Sequence, residues 1–574
     1  MIALPQTPLD QWLPKLVLCL RQYNLQFFTA DVIAGLTVGL VALPLAMAFG
    51  IASGVTPQAG IYTAVIAGFL ISLLGGSRTQ IGGPTGAFVV IIAGIIAKFG
   101  VSGLFMVTMM AGVMLVVMGA TGLGTAVKFI PRPVTIGFTN GIAVLIASTQ
   151  IRDFLGLHTG SIPSELIGRL QVLYAHMNTI DPRTALVSCS SLAIVVFWPL
   201  VTKRVPGSII ALLAGTAVVL IFQLPVDTIG SKFAGIPTGL PLFHVPTFRA
   251  DLILPLLPSA LTVALLAAVE SLLSAVVADG MSGDRHNSNV ELIAQGVANL
   301  ATPLFGGIPA TGAIARTATN IRSGAKTPIA GIVHALTLAG ILLVAAPLAK
   351  FIPLATLAAV LFVVAYNMGE WHAIGTILKL SRADIAVWAT TFALTVLADL
   401  TVAVEVGMAL AALLYIYRVS QTTTVATVTP EYIENGRAHT LQDKDIPPYV
   451  TILRIHGPFL FGTTDKLVEE SEDFTSFAAV IILRVRNMTA IDATGLHALE
   501  VFSDRLRKTG RTLLVCGARE QPARMLKQAE FVKHIGRENI LPHVEAALNR
   551  AREVNTSFEG LGQEIAVDLR RAAL

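Results

Sequence analysis

The chain has 574 residues, of which 54% are apolar and only 13% are charged, and its mean hydropathy is +0.73. Soluble domains usually carry about a quarter charged residues, so this composition excludes an ordinary soluble protein and indicates a membrane protein. The formal net charge of +5 fits basic loops on one side of a membrane, and we expect no nucleic-acid binding.

The N-terminal segment, residues 1–30, lacks the charged, apolar and small-residue regions of a signal peptide, so we expect it to stay in the cytoplasm. The three cysteines lie far apart in the sequence and match neither a disulfide framework nor a CxxC metal pattern. HExxH, GxSxG and P-loop motifs are also missing from the sequence. The sequence therefore predicts no metal, no cofactor and no enzymatic activity.

Residues 31–420 carry nearly all of the apolar sequence and are predicted to form the transmembrane domain. Glycine, proline and charge clusters divide this region into about fourteen segments. Their predicted starts lie near residues 31, 57, 85, 103, 133, 184, 206, 252, 290, 312, 328, 352, 383 and 402. With the N-terminus inside, most Lys and Arg of the short loops lie in the cytoplasm, and the even number of segments returns the chain there.

The third and tenth segments differ from the others because each follows a broken stretch rich in glycine and proline. These stretches are RTQIGGPTG, residues 78–86, and FGGIPATG, residues 305–312. The two segments are seven positions apart, an odd number, so they occupy matching places in two halves of opposite orientation. Such a pair indicates a transporter's binding site, since irregular backbone at membrane depth is either buried or lines a cavity. The alternative is that both stretches are only kinks that help helices pack.

Two half-helices that begin near the middle of the membrane would present their N-termini to each other. The first amides of a helix have no partner within it, and the helix dipole adds partial positive charge, so the pair predicts an anion site. The expected backbone donors are Gly86, Ala87 and Phe88 in the third segment and Gly312, Ala313 and Ile314 in the tenth. Thr85 and Thr311 are candidates for N-caps or for additional hydroxyl donors.

Two of the charged residues inside the predicted segments are candidate functional residues. Arg316 lies one turn into the tenth segment, where it either holds the anion, pairs with a carboxylate or extends to the interface. Glu270 lies well inside the eighth segment, where burial favours a protonated carboxyl that can couple proton movement to anion movement. A structural salt bridge between Glu270 and Arg316 is the alternative. Asp31 and Glu405 are interpreted as interfacial residues.

Three stretches carry a family resemblance: DVIAGLTVGLVALPLAMAFGIASGVTPQAGIYTAVIAG, GGPTGAFVV, and the run from AVESLLSAVVADG to TPIAGIVHA. They resemble the SulP anion transporters, and within that family the bacterial dicarboxylic acid uptake branch, which carries four-carbon dicarboxylates with protons. The resemblance implies a polytopic α-helical membrane protein of two intertwined, inverted seven-segment repeats. It also implies core and gate domains, an elevator-like motion, and a homodimer in the bacterial inner membrane.

The resemblance also implies which residues bind the substrate. In the family the site lies between the third and tenth half-helices, with side chains from the first and eighth segments. The matching residues here are Ala46, Phe49, Phe88, Glu270, Gly312, Ala313 and Ile314, with Arg316 where relatives have a basic residue near the anion. Sodium-coupled relatives have aspartate, threonine and threonine in place of Glu270, Ser274 and Ile314. Since the loss of a hydroxyl removes a ligand for a hard cation, proton coupling is favoured over sodium coupling.

Residues 447–555 are predicted to form a cytoplasmic α/β domain, after a linker over 421–446 and before a tail over 556–574. This domain resembles the STAS domain of the same family, in which relatives suggest acyl carrier protein as a partner. The motif IDATG, residues 491–495, matches the loop that enters the central STAS helix, where soluble relatives carry a phosphorylated serine. Asp492 and Thr494 are therefore candidate regulatory residues; the alternative is that they only cap the helix.

The predicted function is secondary active, proton-coupled uptake of four-carbon dicarboxylates such as succinate, fumarate and aspartate. Sulfate transport, bicarbonate transport and an uncoupled anion channel are the alternatives within the family. A membrane sensor that signals through its STAS domain is the alternative outside transport. Paired helix ends bind any of these anions, so the sequence does not select the substrate.

Overall fold

The computed structural model describes residues 12–125, 131–160, 162–163, 165–202, 206–233, 235, 239–398, 400–428, 444–470 and 477–557. It divides near residue 411 into two compact units. In its described residues the first unit is helical, with one two-stranded sheet, and the second contains a five-stranded sheet.

The helices of the first unit follow the predicted segments in order. They are α1 (Lys15–Leu20), α2 (Leu25–Ala52), α3 (Pro57–Leu74), α4 (Gly86–Ala120), α5 (Arg132–Leu155), α6 (Leu166–Ala175), α7 (Pro182–Val201), α8 (Gly207–Ile221), α9 (Ile229–Phe233), α10 (Ile253–Ser282), α11 (Ser288–Ala301), α12 (Ile314–Arg322), α13 (Ile329–Ala349), α14 (Leu354–Met368), α15 (Trp371–Ile377), α16 (Arg382–Leu397) and α17 (Leu400–Thr422). The short helices α1, α6, α9 and α15 had no predicted counterpart. Eight of the described helices are long and apolar enough to cross a membrane.

The long helix α4 accounts for two predicted segments, the third and the fourth. Gly100, inside this helix, has a φ of 70°, which residues with a side chain rarely adopt, so the helix is interrupted there. With α4 divided at Gly100, the described helices other than the four short ones supply all fourteen predicted segments. The predicted polytopic helical architecture is thereby confirmed.

The two glycine-rich interruptions form a small antiparallel sheet. Strand β1 (Gly82–Gly83) pairs with β2 (Thr311–Gly312), with Gly82 opposite Gly312 and Gly83 opposite Thr311. Helix α4 begins just after β1, and helix α12 begins just after β2. The pairing therefore holds the N-termini of these two helices next to each other, although their residues are more than two hundred positions apart in the sequence.

Glycines allow α4 and α11 to approach each other closely. A Cβ on Gly112 would lie 2.8 Å from the carbonyl oxygen of Gly296, and a Cβ on Gly296 would lie 2.6 Å from the carbonyl oxygen of Gly112. Both distances are shorter than a carbon–oxygen van der Waals contact, so any larger residue would push the helices apart. Small residues at helix contacts are a common means of close packing in membranes.

Asp31, interpreted from the sequence as an interfacial residue, is buried inside α2. Its carboxylate accepts hydrogen bonds from the amides of Lys326 (2.6 Å) and Thr327 (3.0 Å) and from the Thr327 hydroxyl (2.6 Å). It therefore ties α2 to the turn before α13. The sequence placed the start of the first segment at Asp31, but the helix begins earlier, so the carboxylate lies within it. Glu405, in α17, is exposed.

The second unit is an α/β sandwich, as the alternating pattern predicted. Its sheet has the order β3 (Thr424–Thr427), β4 (Val450–Phe459), β5 (Val480–Ile491), β6 (Thr512–Cys516) and β7 (Ile540–Leu541). Strand β3 is antiparallel to β4, and the other pairs are parallel. The helices are α18 (Asp465–Glu470), α19 (Ala493–Lys508), α20 (Glu520–Gln528), α21 (Val532–Ile535) and α22, residues 544–557.

The alternation of side chains along β5 builds a core on each face of this sheet. Ile481 and Leu483 pack in a cluster with residues of α19, whereas Val480 and Ile482 pack in a cluster with residues of α22. Successive side chains of a strand point to opposite faces, so a strand that is apolar throughout is covered by helices on both sides.

One detail of the predicted domain plan is wrong. Residues 424–427, assigned to the linker over 421–446, form the edge strand β3, which pairs with β4. Four residues, TVAT, are too short for periodicity to identify, and the pairing partner lies a long way along the chain. The other predicted domain boundaries stay predictions, and residues 429–443, 471–476 and 558–574 lie outside the described residues.

Asp492 is the N-cap of α19. Of the two predicted roles for this residue, regulation and helix capping, the structure shows capping. One carboxylate oxygen accepts the amide of Gly495 at 2.8 Å, and the other accepts the amide of Phe461 at 2.9 Å. Thr494 is exposed in the first turn of the helix. Asp492 therefore joins the start of α19 to the turn after β4, whereas Thr494 faces solvent.

We expect Gly112→Ala to destabilise the helical unit, because the new methyl group would contact the backbone of α11. Overpacking of this kind costs typically about 1–3 kcal/mol. Gly94→Ala is the matched control, since Gly94 lies in the same helix with nothing near its Cβ position. The measurement is the thermal unfolding midpoint of the purified protein in detergent. Equal midpoints for the two variants would contradict the close packing of α4 on α11.

We expect Asp492→Ala to loosen the start of α19, because the amides of Gly495 and Phe461 both lose their acceptor. Loss of an N-cap typically costs about 1 kcal/mol. Hydrogen–deuterium exchange of the first turn of α19 in the full-length protein measures the effect. Thr494→Ala is the control, and its exchange should stay close to that of the wild type. A larger effect of Thr494→Ala would indicate that the threonine is the cap.

Candidate anion-binding site

The candidate site lies where the N-termini of α4 and α12 meet at the β1–β2 pair. Thr85 precedes α4 and Ala313 precedes α12, and neither side chain caps its helix. The amides of Gly86 and Ala87 lie in the first turn of α4, where a helix offers no acceptor. Because the two helices start at paired strands, the positive ends of their dipoles lie close together, and this arrangement favours an anion.

Two of the predicted backbone donors already have acceptors. The Ala313 amide donates to the carbonyl of Ile81 at 2.8 Å, because the strand pairing continues one residue beyond β2. The Phe88 amide makes a long hydrogen bond of 3.4 Å to the carbonyl of Thr85. The prediction of Ala313 as a free donor is therefore wrong in this conformation. Gly86, Ala87, Gly312 and Ile314 stay predicted donors.

The two threonines of the interruptions both bind α10. The Thr85 hydroxyl donates to Oε2 of Glu270 at 2.9 Å, and the Thr311 hydroxyl donates to the carbonyl of Ala267 at 2.9 Å. In this conformation both hydroxyls therefore donate to α10, and donation to an anion stays a prediction. Glu270 is half-buried, so part of this residue faces open space at the depth of the helix ends.

Arg316 is only 3% exposed, and its guanidinium is only partly satisfied. Nη2 donates a hydrogen bond to the carbonyl of Pro84, whereas Nη1 has no hydrogen-bond partner. In the described part of the chain no ion pair joins Arg316 to Glu270, which instead accepts from Thr85. The structural salt bridge between these two residues is therefore not formed. A buried N–H without a partner, beside two helix N-termini, is suited to an anionic ligand.

Gly83 makes room for the guanidinium. A Cβ at this position would lie 2.7 Å from Nη1 of Arg316 and 3.4 Å from Cα of Ala64. The φ of Gly83, 146°, is also one that residues with a side chain rarely adopt. The second glycine of the GGPTG motif therefore has a physical function, because it lets the arginine approach the backbone of β1.

Phe49 borders the N-terminus of α4, as the resemblance implied, together with two residues that the sequence did not indicate. A Cβ on Gly86 would lie 3.1 Å from Cδ1 of Ile146, 3.4 Å from Sδ of Met368 and 3.4 Å from Cε1 of Phe49. Ile146 belongs to α5 and Met368 ends α14. These apolar side chains cover the start of α4, and no pattern distinguishes them from other apolar residues of their helices.

The remaining predicted residues are distributed around the same helix ends. Ala46 and Phe88 are fully buried, and the carbonyl of Ala46 faces Gly60 of α3. Ile314, the first residue of α12, is 41% exposed and so presents its side chain to open space. Ala46 therefore takes part in helix packing, whereas Ile314 is accessible.

A set of polar contacts that the sequence did not indicate fixes the interruption before α4. The Gln80 side-chain amide donates to the carbonyl of Ser271 at 3.0 Å, and the Ile81 amide donates to the Thr317 hydroxyl at 3.0 Å. The Ser274 hydroxyl also donates to Thr317, at 3.1 Å. In the sequence these residues stand out only as polar residues within an apolar domain. Their partners lie on distant segments, so the sequence does not indicate the contacts.

Within the described residues, no group of three or more His, Cys, Asp or Glu is arranged to hold a metal ion. In the second unit, burial raises the pKa of the Cys516 thiol to about 11, so the thiol stays protonated and unreactive at neutral pH.

The sequence matches two known family models. Residues 28–391 match the sulfate permease family, and residues 442–547 match the STAS domain. Over 525 residues the chain is 43% identical to the candidate sulfate transporter YvdB of Bacillus subtilis, covering 91% of this chain and 98% of that protein. Over 537 residues it is 33% identical to the bicarbonate transporter BicA of Picosynechococcus, covering 91% of this chain and 94% of that protein.

Two solved structures resemble this one. The transmembrane domain of a cyanobacterium bicarbonate transporter, BicA, gives a TM-score of 0.61 at 33% identity and covers 68% of this chain and 98% of that chain. Murine Solute Carrier 26 family member A9, an anion transporter in the inward-facing state, gives a TM-score of 0.83 at 16% identity and covers 96% of both chains. At this low identity the second likeness shows the fold alone.

The two family models follow each other along the chain, as the sequence analysis predicted from the apolar region and the α/β tail. The first model covers more than half of the chain, and both relatives exceed 30% identity over most of their length. The protein therefore belongs to the sulfate permease (SulP) family, with a C-terminal STAS domain, and is a membrane transporter rather than an enzyme.

Proposed function

We propose that this protein is a secondary active anion transporter that binds its substrate between the N-termini of α4 and α12. The observation that carries the proposal is the buried Arg316, whose Nη1 lacks a partner beside two helix ends of positive polarity. Such a site attracts an anion and binds it through backbone amides and one guanidinium. Ile314, Gly312 and the first amides of α4 complete the proposed substrate contacts.

Glu270 is the proposed proton-coupling residue. Its carboxyl group accepts the Thr85 hydroxyl one residue before α4, so a change in its charge acts directly on the anion site. A negative carboxylate repels the substrate, and a protonated one does not, so proton binding favours anion binding. The Ser274 hydroxyl is hydrogen-bonded to Thr317, and position 314 is an isoleucine, which supports protons over sodium as the coupling ion.

The proposed substrates are four-carbon dicarboxylates, namely succinate, fumarate and aspartate, as in the dicarboxylic acid uptake branch that the sequence resembles. Two helix ends and one guanidinium suit two carboxylates, but they also suit one compact oxyanion. The names of the relatives favour sulfate or bicarbonate as the alternative substrate. An uncoupled anion channel stays the alternative mechanism.

The proposed cellular arrangement follows the charge of the loops and the family resemblance. The transport domain, residues 31–420, spans the inner membrane of a bacterium with both termini in the cytoplasm, and it works as a homodimer with an elevator-like motion. The STAS domain, residues 447–555, regulates transport. Thr494, exposed at the start of α19, is the proposed phosphorylation site, and acyl carrier protein is the proposed partner.

Uptake into proteoliposomes tests the proposed function. The panel contains labelled succinate, fumarate, aspartate, sulfate and bicarbonate, each with and without an inward proton gradient. We expect saturable uptake of a dicarboxylate that the proton gradient accelerates. Uptake driven by a sodium gradient alone would contradict the coupling ion, and currents that do not saturate would favour a channel.

We expect Glu270→Gln to uncouple uptake from the proton gradient. The amide keeps an acceptor for the Thr85 hydroxyl but cannot bind and release a proton. The variant should still exchange substrate across the membrane, while the gradient should no longer accelerate uptake. Glu405→Gln is the matched control, because Glu405 is an exposed glutamate of α17. A gradient response of Glu270→Gln equal to that of the wild type would contradict the assignment.

We expect Arg316→Gln to weaken substrate binding. Hydrogen bonds to charged groups are worth about 1.5–3 kcal/mol, so the dissociation constant should rise roughly tenfold or more. Isothermal titration calorimetry of the purified protein with the transported anion measures this constant. Arg322→Gln is the control, because Arg322 is exposed at the end of the same helix. Equal affinity of Arg316→Gln and the wild type would exclude contact between Arg316 and the anion.

A further inference from the structure

His334, on α13, is fully buried, and its polar atoms are unsatisfied. Neither ring nitrogen has a hydrogen-bond partner, although the backbone of Gly331, one turn earlier, lies near the ring. A neutral imidazole carries one N–H donor and one acceptor nitrogen, and burial of such groups without partners is costly. A histidine with only a packing function would therefore be replaced at lower cost by an apolar residue.

Two other polar groups lie close to the glycines that border the ring, Gly68 and Gly331. A Cβ on Gly68 of α3 would lie 3.4 Å from Nδ1 of His334 and 3.4 Å from the carbonyl oxygen of Gly82. The Ser72 hydroxyl, which is buried without a partner, would lie 2.1 Å from a Cβ on Gly331. We name His334, Ser72 and the Gly82 carbonyl the His334 cluster. Water is the usual partner of such groups in protein interiors.

The His334 cluster lies next to the proposed anion site through β1. The carbonyl oxygen of Gly82 and Nδ1 of His334 each lie 3.4 Å from the Cβ position of Gly68, and a Cβ on the following residue, Gly83, would lie 2.7 Å from Nη1 of Arg316. Arg316 also acts electrostatically on His334. The backbone of β1 therefore lies between the residue proposed to hold the anion and a buried titratable side chain.

Few other charges act on this histidine. The helices packed most closely on α13 are α2 and α3. Asp31 of α2 is hydrogen-bonded to the turn before α13, and Tyr62 of α3 lies near Gly306. Apart from Asp31, Tyr62 and His334 itself, helices α2, α3 and α13 contain no charged or titratable side chain. Arg316 is therefore the main charge to which His334 responds.

We propose that His334 is a second proton-binding residue of the transport domain and that anion binding beside Arg316 favours its protonation. The proton adds to the unprotonated ring nitrogen, which gives an imidazolium, and it leaves from the ring when the anion is released. Without an anion, the guanidinium repels the imidazolium. With an anion at Nη1, this repulsion is offset, so proton and anion binding strengthen each other.

This inference rests on the proposed proton-coupled transport and extends it to two protons per cycle. Glu270 contributes one proton and His334 the other. A dicarboxylate with two negative charges and two protons would cross the membrane without net charge movement. A transporter with Glu270 alone would move one net negative charge with the same substrate.

The test measures proton uptake when an anion binds to the full-length protein in detergent. A weakly buffered solution with a pH indicator records the protons taken up after addition of succinate, with sulfate as a second probe. We expect His334→Gln to take up fewer protons per bound anion than the wild type, and Glu270→Gln likewise. His176→Gln is the matched control, because its ring already bonds the backbone of Val172. Proton uptake by His334→Gln equal to that of the wild type would overturn the inference.

Gly68→Ala is a second variant that keeps the histidine and fills the shared space. Its Cβ would lie at ordinary contact distance, 3.4 Å, from its nearest neighbours, so we expect the protein to fold. It should reduce anion-linked proton uptake, because its methyl group occupies the space beside Nδ1 of His334 and the Gly82 carbonyl oxygen. If His334→Gln does not fold, wild-type proton uptake by Gly68→Ala would overturn the inference.

The experiments distinguish failure of the proposed proton-coupled transport from failure of the inference about His334. If the wild type takes up no protons with either anion and a proton gradient does not drive uptake, the proposed coupling fails, and the inference fails with it. If Glu270→Gln lowers proton uptake and His334→Gln does not, the proposed coupling stands, and only the inference about His334 is wrong.

Discussion

The antiparallel pairing of β1 with β2 is the constraint on which the site depends. Each strand is only two residues long, yet the pairing joins two halves of the helical unit and starts a helix at each end. A helix that begins at membrane depth leaves amides without partners, and two such helices side by side concentrate positive polarity. Thr85 and Thr311 then fasten the pair to one turn of α10. The candidate anion site is therefore a consequence of where the backbone stops being helical.

The general plan of the protein was predictable from the sequence because local sequence patterns indicate it. Apolar segments, their glycine and proline breaks and the matched GGP motifs predicted the fourteen segments and the region of the site. The hydrogen bonds of Asp31 and of the Ala313 amide were not predicted because their partners lie on distant parts of the chain. Ile146 and Met368 were missed because an apolar residue at a site looks like any other apolar residue in a membrane helix.

Arg316 is a buried charge that acts electrostatically on two other titratable residues, Glu270 and His334. Its charge is buried, its Nη2 is held by the carbonyl of Pro84, and its Nη1 is left without a partner. A buried charge with a free donor is costly unless a ligand completes it, so the protein without substrate favours anion binding. The same charge acts on both Glu270 and His334, which is the physical basis for the proposal that their protonation responds to the anion.

Close backbone contacts occur within two groups of helices, one that contains α4 and α11 and one that contains α5 and α16. Within one group, Gly112 of α4 packs on the backbone of α11, and within the other, a Cβ on Gly137 of α5 would lie 2.6 Å from the carbonyl oxygen of Trp388. Between the groups, the atoms nearest to the Cβ position of Gly86, at the start of α4, include the side-chain ends of Ile146 and Met368. Backbone contacts resist rearrangement, whereas side-chain ends change rotamer readily. Side-chain contacts of this kind between α4 and the helices α5 and α14 are compatible with the proposed elevator-like motion.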